Sequence, residues 1–377
     1  MSGHASPDPV YDVAVIGGGA AGVGAAVSLR HAGLENFIVL DRHEIGASFM
    51  AWPDETRFIT PSFPTNSIGM LDLNSIAIGA SPAFGLQAEH PTGREYASHL
   101  KRIAEIFELP VRGQCDVKSV RKEGDVFAIE TADAPLRAKH VIWAAGEFQY
   151  PRLNGFAGSE HCRHTATLPN YRGLEGDDFI VVGGYESGID VAYHLAQRGR
   201  RVRLFDKGCP WVAETADPSV ALSTYSLERM RDGRFLQFVE LFPNVPITAV
   251  AREGSTFEVT AGDGRRFATR AQPLLAGGFD GSHGLVSSLF EQRADGFPLL
   301  DENDESTITP GLFLCGPSVR HDNHVFCFIY KYRQRFGIVA RAIATSLGMP
   351  TDELEQYYRQ WGMFLDDLSC CGEECAC

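Results

Sequence analysis

The 377-residue chain has no long uncharged apolar stretch, so no membrane-crossing helix is expected, and no secretory signal is recognised. It is poor in positive charge: 34 Lys and Arg stand against 48 Asp and Glu, a formal net charge of −14. That balance disfavours nucleic acid and anionic membrane as partners. No Cys-x-x-Cys follows either of its two glycine-rich turns, so the common mark of an internal redox pair is missing. A cytoplasmic location is the default expectation, and there the nine cysteines should be mostly reduced thiols. Met1 to Pro9 reads as a frayed arm. Hydrophobic content of 44% and charged content of 22% are those of a globular protein, and the length suits two domains.

The two glycine-rich turns carry the most information. Gly17-Gly18-Gly19-Ala20-Ala21-Gly22 follows the apolar run Tyr11–Ile16, and Gly183-Gly184-Tyr185-Glu186-Ser187-Gly188 follows Phe179–Val182. Each turn opens an apolar-periodic helix, and each unit closes on a strand ending in an acid, Asp41 and Asp206. One glycine triplet is weak evidence; the complete unit found twice indicates two nucleotide-binding domains, one for a flavin and one for a nicotinamide. In the first turn Gly17 permits the tight exit from the strand and Gly19 lets the backbone approach a pyrophosphate. Gly22 permits close helix-on-strand packing, with phosphates over the helix N-terminus beside Ala20 and Ala21. Asp41, followed by Arg42, can accept hydrogen bonds from the adenosine ribose.

The spacing splits the first domain around the second. After Asp41 an irregular stretch rich in Pro, Phe and Thr runs from Ile45 to about Pro91. Gly93 to Phe107 reads as a helix with Tyr96, Leu100, Ile103, Ala104 and Phe107 on one face. Val111 to Ala138 reads as a small antiparallel meander, and Val141–Gly146 as a returning buried strand. The second half repeats this grammar, with a meander around Ile247 to Phe267 and a strand-like Pro273–Gly278. Leu312–Cys315 reads as a strand going back to the first domain, followed by a helix from about Tyr332 to Leu347. The expected fold is α/β: two Rossmann-like three-layer domains, the FAD-binding one (1–155 and 286–365) interrupted by an NAD(P)H-binding one (156–285), then a cysteine-rich tail (366–377).

This order of parts resembles the flavoproteins with two dinucleotide-binding domains, which include thioredoxin reductases and flavin-containing monooxygenases. Ala144-Ala145-Gly146 with Pro151 looks like the family's linker, and Leu312–Gly316 like its second flavin motif. Tyr332-Arg333-Gln334 is similar to the Tyr-Arg-Gln that meets the flavin edge in thioredoxin reductases. The resemblance implies FAD in the first domain, with Gly146, Gly316, Arg333 and Gln334 near it and Trp52 in its wrapping, and NADH or NADPH in the second. Pro317 stands where the family continues Gly-Asp, so His321, Asp322, Asn323 and His324 are plausible replacements. Tyr185 replaces the middle glycine of the second turn, and its ring must swing aside or stack on something. Asp206 should repel a 2′-phosphate and favour NADH, while Arg200, Arg201, Arg203 and Lys207 pull the other way. A monooxygenase signature begins at Phe156-Ala157-Gly158 but has Cys162 where its histidine belongs.

Four cysteines crowd the last eight residues: Cys370, Cys371, Cys375 and Cys377. They suit a redox relay from reduced flavin to a sulfur substrate, or soft-metal binding. The first reading is an FAD-dependent NAD(P)H oxidoreductase reducing a disulfide, persulfide, thione or metal-thiolate, carried by a small molecule or a protein. The alternatives are a flavin monooxygenase acting on a soft nucleophile and a metal-binding flavoprotein. No resident metal is expected, and a homodimer is kept open.

Overall fold

The computed structural model describes residues 10–369 apart from 213, 214 and 216. Its first sheet grows around strand β1 (Val10–Ile16), whose last four residues are buried. A Val, Ala and Ile run of this kind suits a parallel strand covered on both faces. Strand β2 (Phe37–Leu40) lies parallel to it, with Val13 opposite Phe37. Strand β3 (Val111–Arg112) extends β2, also in parallel. The meander proper is therefore β4 (Val117–Glu123), β5 (Val126–Thr131) and β6 (Leu136–Trp143). It starts later than the alternation predicts, because β3 follows the helix Gly93–Ile106 and such a crossover returns the chain in parallel. That helix begins at a capping box between Thr92 and Glu95 and buries Tyr96, Leu100, Ile103 and Ala104, as its periodicity requires.

The second sheet repeats the plan. Strands β7 (Arg163–His164), β8 (Asp178–Val182), β9 (Arg201–Phe205) and β10 (Val239–Phe242) precede the antiparallel β11 (Ile247–Glu253), β12 (Thr256–Ala261) and β13 (Arg266–Thr269). Strand β14 (Leu274–Leu275) then closes a parallel sheet of order β10-β9-β8-β14-β7. The first sheet has the matching order β3-β2-β1-β6. Strand β15 (Leu312–Leu314) pairs with Val141–Trp143 of β6, so the chain returns to its first sheet after building the second.

The returning segment is fixed by a buried charge. Arg335 Nη2 lies 2.9 Å from Asp304 Oδ1, both side chains almost fully buried, and His321 Nε2 is 2.5 Å from the same oxygen. The helix expected from Tyr332 to Leu347 is broken into Ile329–Tyr332, a 3₁₀ turn at Arg333–Arg335 and Phe336–Ser346. The tight turn aims Arg335 at Asp304 and Arg333 at the opposite wall. The irregular stretch is also ordered: Asp72 accepts from Asn74 N, Ser81 Oγ and Ala83 N, a knot that buries its carboxylate.

Candidate functional site

Both glycine turns use their acids in the same way. Gly18 N donates to Asp41 Oδ2 (2.7 Å) and His43 N to Oδ1 (2.7 Å). Gly184 N donates to Asp206 Oδ2 (2.6 Å) and Gly208 N to Oδ1 (2.7 Å). The acid that ends each strand thus fixes the turn. Gly17 has φ +112°, and a Cβ there would strike the Ala144 carbonyl; a Cβ on Gly22 would strike that of Gly17. These two glycines are required by close backbone approach. Gly19 differs: an added Cβ would meet no atom within 4 Å, so its backbone faces open space at a helix N-terminus.

That space is a cavity of about 660 Å³ running from the first turn to the second domain. Gly17, Gly19, Ala20, Ala21, Asp41, Arg42, Trp52 and Gly146 all line it. Arg42 is held by Asp116 (2.8 Å) and by Gln149 Oε1 (3.0 Å), and Asp116 above all raises its pKa. The cradle fits the diphosphate and ribose of a flavin dinucleotide: backbone amides at a helix N-terminus, an open Gly19 and an acid beyond. Gly22 and Gly316 lie behind the lining, Gly316 at φ +107° against Ala21.

Arg333 and Gln334, placed at the flavin edge by resemblance, do not line the cavity. Arg333 is buried and donates to the carbonyls of Asp72, Ser75 (2.8 Å) and Leu71 (3.4 Å), and burial pulls its pKa down to about 10. The knotted loop at Asp72 leaves carbonyls that need a donor, and Arg333 supplies it. Gln334 Nε2 donates to Tyr330 O (2.8 Å). Of the second turn, Glu186 and Ser187 reach the cavity, whereas Gly183, Gly184, Tyr185, Gly188 and Asp206 do not.

Asp190, on the helix Glu186–Gln197, was not singled out from the sequence, yet it organises the seam between the two units. Its Oδ2 accepts from Thr56 Oγ1 (2.7 Å) and Tyr171 OH (3.0 Å), and its Oδ1 from Arg229 Nη1 (2.5 Å). Thr56 belongs to the cavity wall of the first unit; Tyr171 and Arg229 belong to the second. Glu55 beside it accepts from Tyr171 N, Arg172 N and Arg198 Nη2 at 2.9–3.0 Å. The signal was an acid inside the apolar run Ile189–Ala192, which a surface helix would not place there. Burial works against ionisation of Asp190, but His194, Arg229 and Thr56 together hold its carboxyl below the ordinary carboxylate range.

The five cysteines among the described residues are all unpaired. Cys115 and Cys327 line the cavity, and Cys315 does not. Burial pushes each of these thiols up, Cys315 well above its ordinary value, and Cys162 up to about 12. None of these four is activated as a thiolate. Cys370, Cys371, Cys375 and Cys377 lie outside the described residues. His321 is buried against Asp304 rather than set in the cavity, while Glu147, whose pKa burial raises, lines it.

Asp190→Asn should lower stability by roughly 3–5 kcal/mol at pH 7, since it strands the buried Arg229 charge. Because the folded-state pKa is depressed, the stabilisation is complete above the unfolded value near ~4 and fades as pH falls through the folded one. Urea midpoints of both proteins measured from pH 7 to pH 3 should therefore converge at the acid end.

Comparison with known proteins bears on the family and the fold. Residues 14–316 match the family described as pyridine nucleotide-disulphide oxidoreductase. An oxidoreductase named CzcO from Bacillus velezensis is 30% identical over 193 residues, 50% of this chain and 52% of its own length. The chain thus spans about half the length of that relative. Bacilliredoxin reductase Bdr from Bacillus subtilis is 23% identical over 340 residues, 88% of this chain and 96% of its own. Bacillithiol disulfide reductase Bdr from Staphylococcus aureus superposes with a TM-score of 0.73 at 18% identity, covering 89% of this chain and 98% of that one. An ornithine N-hydroxylase from Kutzneria reaches 0.70 at 15% identity, over 90% and 100%. The last two show the fold. The chain belongs to the pyridine nucleotide-disulphide oxidoreductase family.

Proposed function

We propose that the protein transfers electrons from a nicotinamide nucleotide, through FAD in the first domain, to a sulfur-containing acceptor by way of its C-terminal cysteines. The supporting observation is the reach of the match to bacilliredoxin reductase, which spans nearly the whole of both chains. Bound FAD supplies a two-electron carrier. The amides around Gly19 would bind its diphosphate, Asp41 its ribose, and Trp52 and Gly146 the walls beside it. Thr56 and Phe58, locked by the Asp190 seam and by aromatic packing on Tyr96 (4.5 Å between centroids), would exclude water from that wall. No pair of thiols faces the cavity with a lowered pKa among the described residues. The tail is then the reading for a relay: a tail disulfide takes up two electrons and two protons, and the resulting dithiol reduces the acceptor by exchange.

A monooxygenase reading competes, supported by a Baeyer-Villiger monooxygenase from Streptomyces coelicolor that is 26% identical over 61% of this chain and 44% of its own length. Anaerobic turnover separates the two, since only the reductase proceeds without oxygen. Of the cations that pull the other way, Arg200 and Arg201 lie at the start of β9, the strand end remote from Asp206, and Arg203 is committed to Asp178 (2.7 Å) and Ala268 O. Lys207 alone adjoins the Asp206 carboxylate, which supports NADH as donor.

Gly19→Val should fold, because its φ of −82° suits any residue and its Cβ meets no protein atom. It should purify without FAD yet melt near wild-type apoprotein; full flavin occupancy would reject the first-turn site. Stopped-flow flavin reduction should be faster with NADH than NADPH, and Asp206→Ala should narrow the gap. Truncation before Cys370 should leave reduction by NADH near normal and abolish turnover of the sulfur acceptor; full turnover by the truncated protein would reject the relay.

A further inference from the structure

We propose that Asp217–Ala221 is a gate over the second glycine turn, latched from both domains, which must open before a nicotinamide nucleotide can reach that turn. The inference rests on the reading of the second domain as the nicotinamide site. The two turns share one backbone plan, so each is a control for the other. At the first, the two residues opening the helix are Gly19 and Ala20, and both border the cavity. At the second, the same positions are Tyr185 and Glu186, and both hold chain against the turn.

The Tyr185 hydroxyl shares its proton between Pro218 O (2.9 Å) and Ala221 O (2.7 Å). Glu186 accepts from Ser223 N (2.6 Å), Ser223 Oγ (3.1 Å) and Ser226 Oγ (2.5 Å). Ser223 caps the helix Thr224–Met230 and Leu222 is buried, so the chain from Leu222 onward is a fixed base. Residues 217–221 carry no helix or strand. Their backbone bonds are local, Val220 N and Ala221 N both donating to Asp217 O (3.1 Å). What holds them down is side chains. Besides Tyr185, Lys331 Nζ of the returning segment reaches Asp217 Oδ1 (2.7 Å) and Ser219 Oγ (2.7 Å), and Cys327 Sγ reaches Ser219 Oγ (3.3 Å). The latch therefore spans from the second turn to the cavity wall of the first unit. While it is shut, Gly183, Gly184 and Tyr185 stay outside the cavity that Glu186 and Ser187 border.

A gate of few, separable contacts has a kinetic signature. When opening precedes hydride transfer and is slower, flavin reduction saturates with NADH at a rate showing little primary deuterium isotope effect. Anaerobic stopped-flow with NADH and its 4-deuterated form should show that in the wild type. Tyr185→Phe removes one latch hydrogen bond and should raise the limiting rate by about fivefold and unmask the isotope effect. Ser219→Cys sets a second thiol beside Cys327; oxidation with diamide should lock the gate. The locked protein should lose reduction by NADH, keep reduction by dithionite, and recover with dithiothreitol. A full isotope effect in the wild type with an unchanged rate in Tyr185→Phe overturns the gate alone. So does a locked protein, its cross-link confirmed by mass, that NADH still reduces at full rate. No reduction by NADH or NADPH in wild type or Tyr185→Phe overturns the nicotinamide reading and the gate with it.

Discussion

The placement of one buried carboxylate, Asp190, sets the geometry of the whole seam. A charge taken out of water costs several kcal/mol unless it is fully partnered, so its partners are not free to drift. Here they come from three separate elements: Thr56 from the cavity wall of the first unit, Tyr171 from the linker region before β8, and Arg229 from the helix after the gate. Arg229 is itself packed over the rings of Tyr225 and Tyr193, at 4.1 and 4.8 Å. Moving the domains apart would break the Thr56 bond and the contacts of Glu55 to Tyr171, Arg172 and Arg198 together, while Tyr171 and Arg229 stay with Asp190 in the second unit. The seam thus favours one domain arrangement, with the cavity lying between the units.

Within that arrangement the cavity lining mixes charged and apolar side chains. Beside the first turn, charge is balanced: Arg42 against Asp116, and Asp41 tied to turn amides. Apolar wall is supplied by Phe148, Phe279, Phe328, Ile329 and Tyr332, and Glu147 is among the acids. Burial raises the Glu147 pKa, with Arg320 and Arg152 opposing it, so this carboxyl holds its proton to higher pH than a surface glutamate.

Much of this was legible in the sequence because it depends on local backbone chemistry. Glycine turns, strand-ending acids and the period of the helix Gly93–Ile106 are fixed by neighbours within a few residues, and the fold follows them. What was not legible depends on partners far along the chain. Arg333 carries no local mark that its guanidinium serves carbonyls more than 250 residues earlier (Asp72 and Ser75), so resemblance alone put it at the flavin. The break of the helix at Arg333–Arg335 escaped for the same reason: only the buried Asp304, more than thirty residues upstream, explains it. Asp190 was in principle readable, as an acid in an apolar stretch, but its role needs Thr56 and Arg229 from either side.

Tyr185 joins these two classes. The sequence shows that a glycine position has been filled and that the ring must go somewhere; only the fold shows where. A phenol at that position cannot serve as the open approach that Gly19 provides, yet the turn beneath it keeps every other feature, down to the Gly184–Asp206 hydrogen bond. The acid and the glycines also hold the turn itself together: Asp206 accepts from Gly184 N and Gly208 N, and a Cβ on Gly188 would strike the Gly183 carbonyl. An intact turn under a tethered, side-chain-held segment is the arrangement that the proposed gate needs. On the proposed reading, the physical asymmetry between the two turns matches their cargo: a flavin that stays bound needs an open cradle, and a nicotinamide nucleotide that comes and goes tolerates one that closes behind it.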